Sequence, residues 1–195
     1  MSMEHKAFLF DTDKFYAEIK PVMEDSVKNT EVAHEYINSH LDEFQSPYTG
    51  EPLEEDWEDE FDELTLQVYF DILLTACYDV EDDRGLADMW DAVNEVIKSL
   101  DIFKEGSVPV TGREIEADGV TVDPGMEGMG LIDRDEAEAI LEVLKDNRDA
   151  AEDAEPDPEE MLYEADPEEW MEAYDDLCTL YEDALGEKKG LLFTF

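Results

Sequence analysis

The chain has 195 residues, with 13 Lys and Arg against 57 Asp and Glu, for a formal net charge of −44. That acidity excludes direct nucleic-acid binding by phosphate neutralisation and argues against attachment to anionic membranes. With 43% apolar residues, including 9 Phe, 8 Tyr and 3 Trp, the composition belongs to a folded chain with a sizeable core rather than a disordered one.

Ala7–Phe10 (AFLF) is a short apolar run that predicts a strand. Thr12 is placed to cap a helix reaching about Asn29, with Phe15, Tyr16, Ile19, Val22, Met23 and Val27 on one side and Pro21 set to kink or split it. Residues 30–44 predict a second helix, and the turn-rich PYTGEP of residues 47–52 breaks the chain after it. Residues 62–77 predict a mostly buried helix, with a strand as the alternative for part of the segment. Residues 86–100 predict an amphipathic one, with Leu86, Trp90, Val93, Ile97 and Leu100 in one stripe.

The glycine-rich segment 104–132, in which Val108, Val110, Val120 and Val122 alternate with polar residues or Pro109, predicts a hairpin or ordered loop. Asp133 with Glu136 has the spacing of a capping box at the start of the next helix. The acidic stretch 149–160, carrying Pro156 and Pro158, predicts an extended loop. Asp166, Pro167 and Glu169 open a last helix whose stripe runs from Trp170 to Leu185 and stops at Gly186. Residues 190–195 (GLLFTF) predict a terminal strand. Neither terminal strand is stable alone, so the two are expected to meet. The sequence therefore predicts a mainly helical single α+β domain, residues 1–195, with a small sheet joining the N- and C-terminal strands.

No apolar run approaches the ~20 residues of a membrane span. The opening MSMEHKAFLFD lacks a basic and apolar leader, so a cytoplasmic location is expected. Cys77 and Cys178 suffice for neither a disulfide framework nor a zinc site, and each sits on an apolar helical face as a structural cysteine does. His5, His34 and His40 read as surface or helix-end residues. Gly125–Gly130 resembles a phosphate loop only in its glycines: Glu127, Asp133 and Asp135 would repel phosphate, so it is expected to be a structural turn. The DVEDDRG of residues 79–85 misses the register of a calcium loop. Among 57 acids some carboxylate pair always lies at a catalytic spacing, so such pairs carry no signal. The sequence offers no nucleophile elbow or zinc-hydrolase helix. The expectation is a non-enzyme with no catalytic residue, cofactor or metal.

What is distinctive is how the acids cluster. Residues 41–97 hold 19 acids and one base, and residues 149–187 hold 17 acids and none. Glu54, Glu55, Asp56, Glu58, Asp59, Glu60, Asp62 and Glu63 surround Trp57 and Phe61. Asp82, Asp83, Glu159 and Glu160 are expected to extend that surface. Aromatics are favoured interface anchors while charges steer encounter, so these fourteen residues are the candidate partner-binding set; the competing reading makes Trp57 and Phe61 core residues with acidic neighbours. Crowded carboxylates also predict tighter folding near pH 5 than near pH 8.

Gly85–Val93, the glycine-rich Gly125–Leu131 leading into Asp133–Ala137, Asp166–Trp170, Tyr174–Tyr181 and Gly190–Phe195 follow one another as in the YfbM-like proteins of unknown function, which this chain resembles over about residues 85–195. The resemblance implies a compact bacterial α+β domain and supplies no catalytic residues; some members of the family resemble immunity proteins of toxin systems by neighbourhood rather than by mechanism.

A charge of −44 matches the phosphates of about 22 base pairs. The leading expectation is an inhibitor that covers the basic, nucleic-acid-binding surface of a protein partner, as a DNA mimic or a nuclease-toxin immunity protein. The alternatives are a domain adapted to molar salt, and an enzyme or small-molecule binder whose site is assembled from distant residues.

Overall fold

In a computed structural model of the chain, Lys6–Phe10 (β1) lies antiparallel to Gly190–Thr194 (β5), with Phe8 opposite Leu192 and Ala7 opposite Phe193. The structure describes residues 4–105, 108–122, 128–156, 159–162 and 165–195. Arg113–Ala117 (β2), Val120–Val122 (β3) and Met129–Ile132 (β4) complete an antiparallel sheet ordered β1-β5-β4-β2-β3. The two ends of the chain thus meet in the sheet, and the fold is α+β.

Alternation along the strands sends side chains to opposite faces. Ala7, Leu9, Leu191, Phe193 and Ile132 face one helical layer: Trp90–Leu100 (α5), Val108–Thr111 (α6), Arg134–Asp146 (α7), Arg148–Glu152 (α8) and Pro167–Gly186 (α9). Phe8, Phe10, Leu192, Leu131 and Ile115 face a second core, built from Thr12–Lys14 (α1), Lys20–Ser26 (α2), Glu31–Ser39 (α3) and Leu66–Leu74 (α4). Burial on both faces is why AFLF and LLF are continuous apolar runs.

Several local expectations are corrected. The cap of the first helix is Asp11, whose Oδ1 accepts the Lys14 N–H at 2.9 Å, while Thr12 is already helical. Pro21 has no N–H to close a regular turn onto Ala17. The chain widens into a π-helical turn over Phe15–Ile19, closed by Lys20 N–H donating to Phe15 O, and continues as α2. The second helix stops at Ser39, where the Ser39 hydroxyl bonds the carbonyls of Glu35 and Tyr36. α4 begins at Leu66, with Thr65 Oγ1 accepting from Val68 N–H.

α5 begins only at Trp90, because the backbone before it is committed elsewhere: Ala87 exchanges hydrogen bonds with His5, and Leu86 N–H donates to His5 Nδ1. Asp133 and Glu136 form no capping box; Asp133 Oδ2 accepts from the Tyr16 hydroxyl at 3.1 Å and Glu136 from Arg113. The capping box at Asp166 and Glu169 is present in full.

The glycine-rich segment contains α6, a hairpin turning through Asp118 and Gly119 at positive φ, and β4. Strand β4 falls within the segment expected as a hairpin or ordered loop, and its first two residues, Met129 and Gly130, correct the reading of 125–130 as a turn. Its Gly130 passes so close to the Thr111–Gly112 backbone that a Cβ would lie 1.9 Å from Thr111 O. Residues 125–127 lie outside the described residues. The expected loop 149–160 starts instead with α8, and its Pro158 lies outside the described residues.

Candidate functional site

The acidic run Glu54–Glu63 is organised by a single 3-10 turn, Trp57–Glu60. Trp57 is fully buried, its indole N–H donating to Asn38 Oδ1 at 2.9 Å and its ring packing near Tyr69 and Phe61. This corrects the expectation that Trp57 is a contact residue: it is the anchor that fixes the turn to α3 and α4. The flanking acids then have nowhere to go but outward, and Glu54, Glu55, Asp56, Glu58, Asp59, Glu60, Asp62 and Glu63 are all exposed. His34 on α3 adds a tie to Glu58 Oε1 at 2.6 Å.

Phe61 is half-buried against the same core. Its outer side faces Tyr48, with ring centroids 5.8 Å apart. Tyr48, at 67% exposure, is an exposed aromatic that the sequence does not single out, because the turn-rich PYTGEP reads as a simple break. An exposed aromatic inside a polar turn was the available signal. Tyr48, Glu60, Phe61, Asp62, Glu63 and Val68 line an open groove of about 380 Å³.

The structure does not gather the remaining candidates onto that groove. Asp83 is structural. Its Oδ1 accepts the N–H of Ala7 at 3.1 Å and of Gly85 at 2.9 Å, standing in for a carbonyl along the outer edge of β1. Asp82 is engaged by the Arg84 guanidinium, which also reaches Asp183 on α9 at 3.0 Å. Glu159 and Glu160 are exposed but belong to the other helical layer, three and two residues before the Leu162 N–H that donates to Asp91 on α5.

Neither thiol is activated by its surroundings. Burial, the largest cause, pushes Cys77 up to about 12 and Cys178 up to about 11. His5 corrects the surface reading of the histidines. It is buried in the core, and that burial lowers its pKa to about 4. Among the described residues no group of three or more His, Cys, Asp or Glu is arranged to hold a metal ion, and no helix is long and apolar enough to cross a membrane. No family model, curated protein or solved structure matches the chain.

Proposed function

We propose that this is a non-enzymatic binding protein of the cytoplasm that inhibits a partner by covering its basic, nucleic-acid-binding surface, as a DNA mimic or a nuclease-toxin immunity protein does. The proposal includes the resemblance to the YfbM-like proteins, some members of which resemble immunity proteins by neighbourhood. The observation that carries it is the Trp57 turn: one buried indole holds eight exposed carboxylates on a fixed frame beside the Tyr48–Phe61 groove. An acidic face on a fixed backbone loses little main-chain freedom on docking and steers a basic partner onto itself. Tyr48 and Phe61 supply the apolar contact that charges alone do not.

The test is competition. A panel of basic nucleases and DNA-binding proteins is incubated with labelled DNA, and the chain is titrated in. Displacement of DNA from a member of the panel is expected, with an association rate that falls steeply between about 0.05 M and about 0.2 M salt. Converting Asp56, Glu58 and Asp59 together to Lys should slow that association about tenfold or more. An unchanged rate in the triple variant, or inhibition indifferent to salt, overturns the proposal.

A further inference from the structure

A second cavity, of about 640 Å³, lies on the other side of Tyr48. Its floor is the last row of side chains on one sheet face: Lys6 on β1, Thr194 on β5 and Met129 on β4, paired across the strands in register. In the next row Leu192 and Leu131 are covered by the helical layer, and Phe8 beside them closes the inner end of the cavity. The layer stops one row short, and the turn at residues 47–49 and the loop at 78–81 wall off the space that remains.

The walls have a consistent chemistry. Phe8, Tyr48 and Tyr78 contribute aromatic side chains to the lining, with Phe8 and Tyr78 at 4.8 Å between centroids, and Phe195 borders it with its ring packed against His5 and Trp90 on the other sheet face. Asp71 and Glu81 supply carboxylates, against Lys6 as the single basic residue of the lining among the described residues. Asp71 is the unexpected member. It stands on α4 between Phe70 and Ile72, in a helix otherwise buried through Tyr69–Leu74, and is itself only 6% exposed. Burying a carboxylate on an apolar helix is costly, so a sequence that keeps one there departs from what the fold needs. Gln67 Nε2 donates to its Oδ1 at 2.7 Å and holds the side chain in place. Tyr48 and Tyr78 lie within reach of its charge: burial first, and then Asp71, raises both phenols.

Aromatic faces arranged around a fixed carboxylate are the recognition chemistry of organic cations, because the ring faces carry negative charge and the alkyl stem fills the apolar space. The geometry points to this cavity as a binding site for an alkylammonium group, carried either by a small free amine or by a lysine side chain. The site goes beyond the acidic turn and stands whether or not that turn binds a protein.

The experiment is an amide NMR titration of the full chain with n-butylammonium and with uncharged n-butanol, in about 0.3 M NaCl to screen the exposed acids. Saturable shifts are expected at Phe8, Tyr48, Tyr78 and Thr194, with the alcohol binding about tenfold more weakly or worse. Asp71→Asn should abolish the preference for the cation. Tyr48→Ala, at an exposed position that leaves the core intact, should weaken binding about threefold or more. The charge-reversed Asp56, Glu58 and Asp59 variant should bind butylammonium as the parent does, which separates this site from the acidic turn. N-acetyl-lysine amide distinguishes the sources: binding as tight as butylammonium assigns a lysine side chain, and loss of binding assigns a small free amine. Linear shifts spread over the exposed acids, an equal response to the alcohol, or unchanged affinity in a folded Tyr48→Ala variant overturns the inference.

Discussion

His5 donates its Nε2–H to the carbonyl of Val110 at 2.8 Å, and its Nδ1 accepts the N–H of Leu86 at 3.0 Å. One imidazole thereby joins the start of β1 to the segment before α5 and to α6. Its ring lies 5.2 Å from that of Phe193 and 5.3 Å from that of Phe195. Accepting at Nδ1 requires the neutral tautomer, and burial holds the folded pKa near 4 against an ordinary 6.5.

The sign of the pH effect follows. Above about pH 6.5 the histidine is neutral in both folded and unfolded chains, and the native arrangement is fully favourable. Between about 6.5 and 4 the unfolded chain takes up a proton that the native state refuses, which removes about 3 kcal/mol over the whole window. Other titrating groups also contribute to the parent's pH curve, so that curve alone does not isolate His5. The difference from a variant does. His5→Ala is expected to cost about 2–4 kcal/mol at pH 7.5, by leaving Leu86 N–H and Val110 O unpaired. In urea denaturation that gap should shrink by about 2 kcal/mol at pH 5. A gap of equal size at both pH values would show that the imidazole is not held neutral.

The outer edge of β1 is covered by residues 77–87. Arg84 N–H donates to Ala7 O, His5 and Ala87 exchange hydrogen bonds, and Asp83 accepts from Ala7 N–H. The cover hugs the strand so closely at Gly85 that a Cβ there would lie 2.1 Å from His5 O. An uncovered edge strand is a template for association. Gly85→Ala is expected to destabilise by about 2 kcal/mol or more, and Asp83→Ala by about 1–3 kcal/mol. Both should raise the aggregated fraction in light scattering after mild heating. Asp83→Asn keeps an acceptor and should lose less than Asp83→Ala; the reverse order would contradict the carbonyl-like role of this carboxylate.

Within the acidic turn, stability and charge should separate cleanly. Trp57→Ala removes a fully buried indole and is expected to cost about 3–5 kcal/mol, with Trp57→Phe intermediate through loss of the Asn38 hydrogen bond. Asp56→Asn and Asp59→Asn are exposed and should stay within about 0.5 kcal/mol of the parent, or stabilise it by easing repulsion. Guanidinium denaturation of the four variants checks the ordering, and a large loss at Asp59 would make that carboxylate a structural group.

Salt distinguishes a charge kept for a partner from a charge kept for a saline environment. Between about 0.1 M and about 3 M KCl the screening length falls from ~10 Å to about 2 Å. With both sheet faces buried, cooperative unfolding is expected at the lower salt and a higher midpoint at the upper. The exposed ion pairs of Arg84, Arg113 and Arg148 contribute little at either. A chain that folds only in molar salt would remove the argument for a partner at the Trp57 turn.

The sequence by itself determined the elements whose signal is local. AFLF and GLLFTF have the composition of buried strands, Asp166 to Glu169 can close a capping box with no help from elsewhere, and the stripe from Trp170 to Leu185 has one helical solution. The density of exposed carboxylates also needed no structure, since so many charges cannot be buried. Tertiary structure decided the rest. Whether Trp57 points out as a contact or in as an anchor depends on Asn38 and Tyr69, which lie far from it in sequence. β4 was hidden because a strand made of Met129-Gly-Leu-Ile is held by its neighbours β2 and β5 and by the close approach of Thr111, not by propensity. The roles of His5, Asp71 and Asp83 were invisible for the same reason. A polar side chain becomes a core hinge, a cavity wall or an edge cover only when distant backbone arrives to meet it, and spacing along one chain carries no record of that meeting.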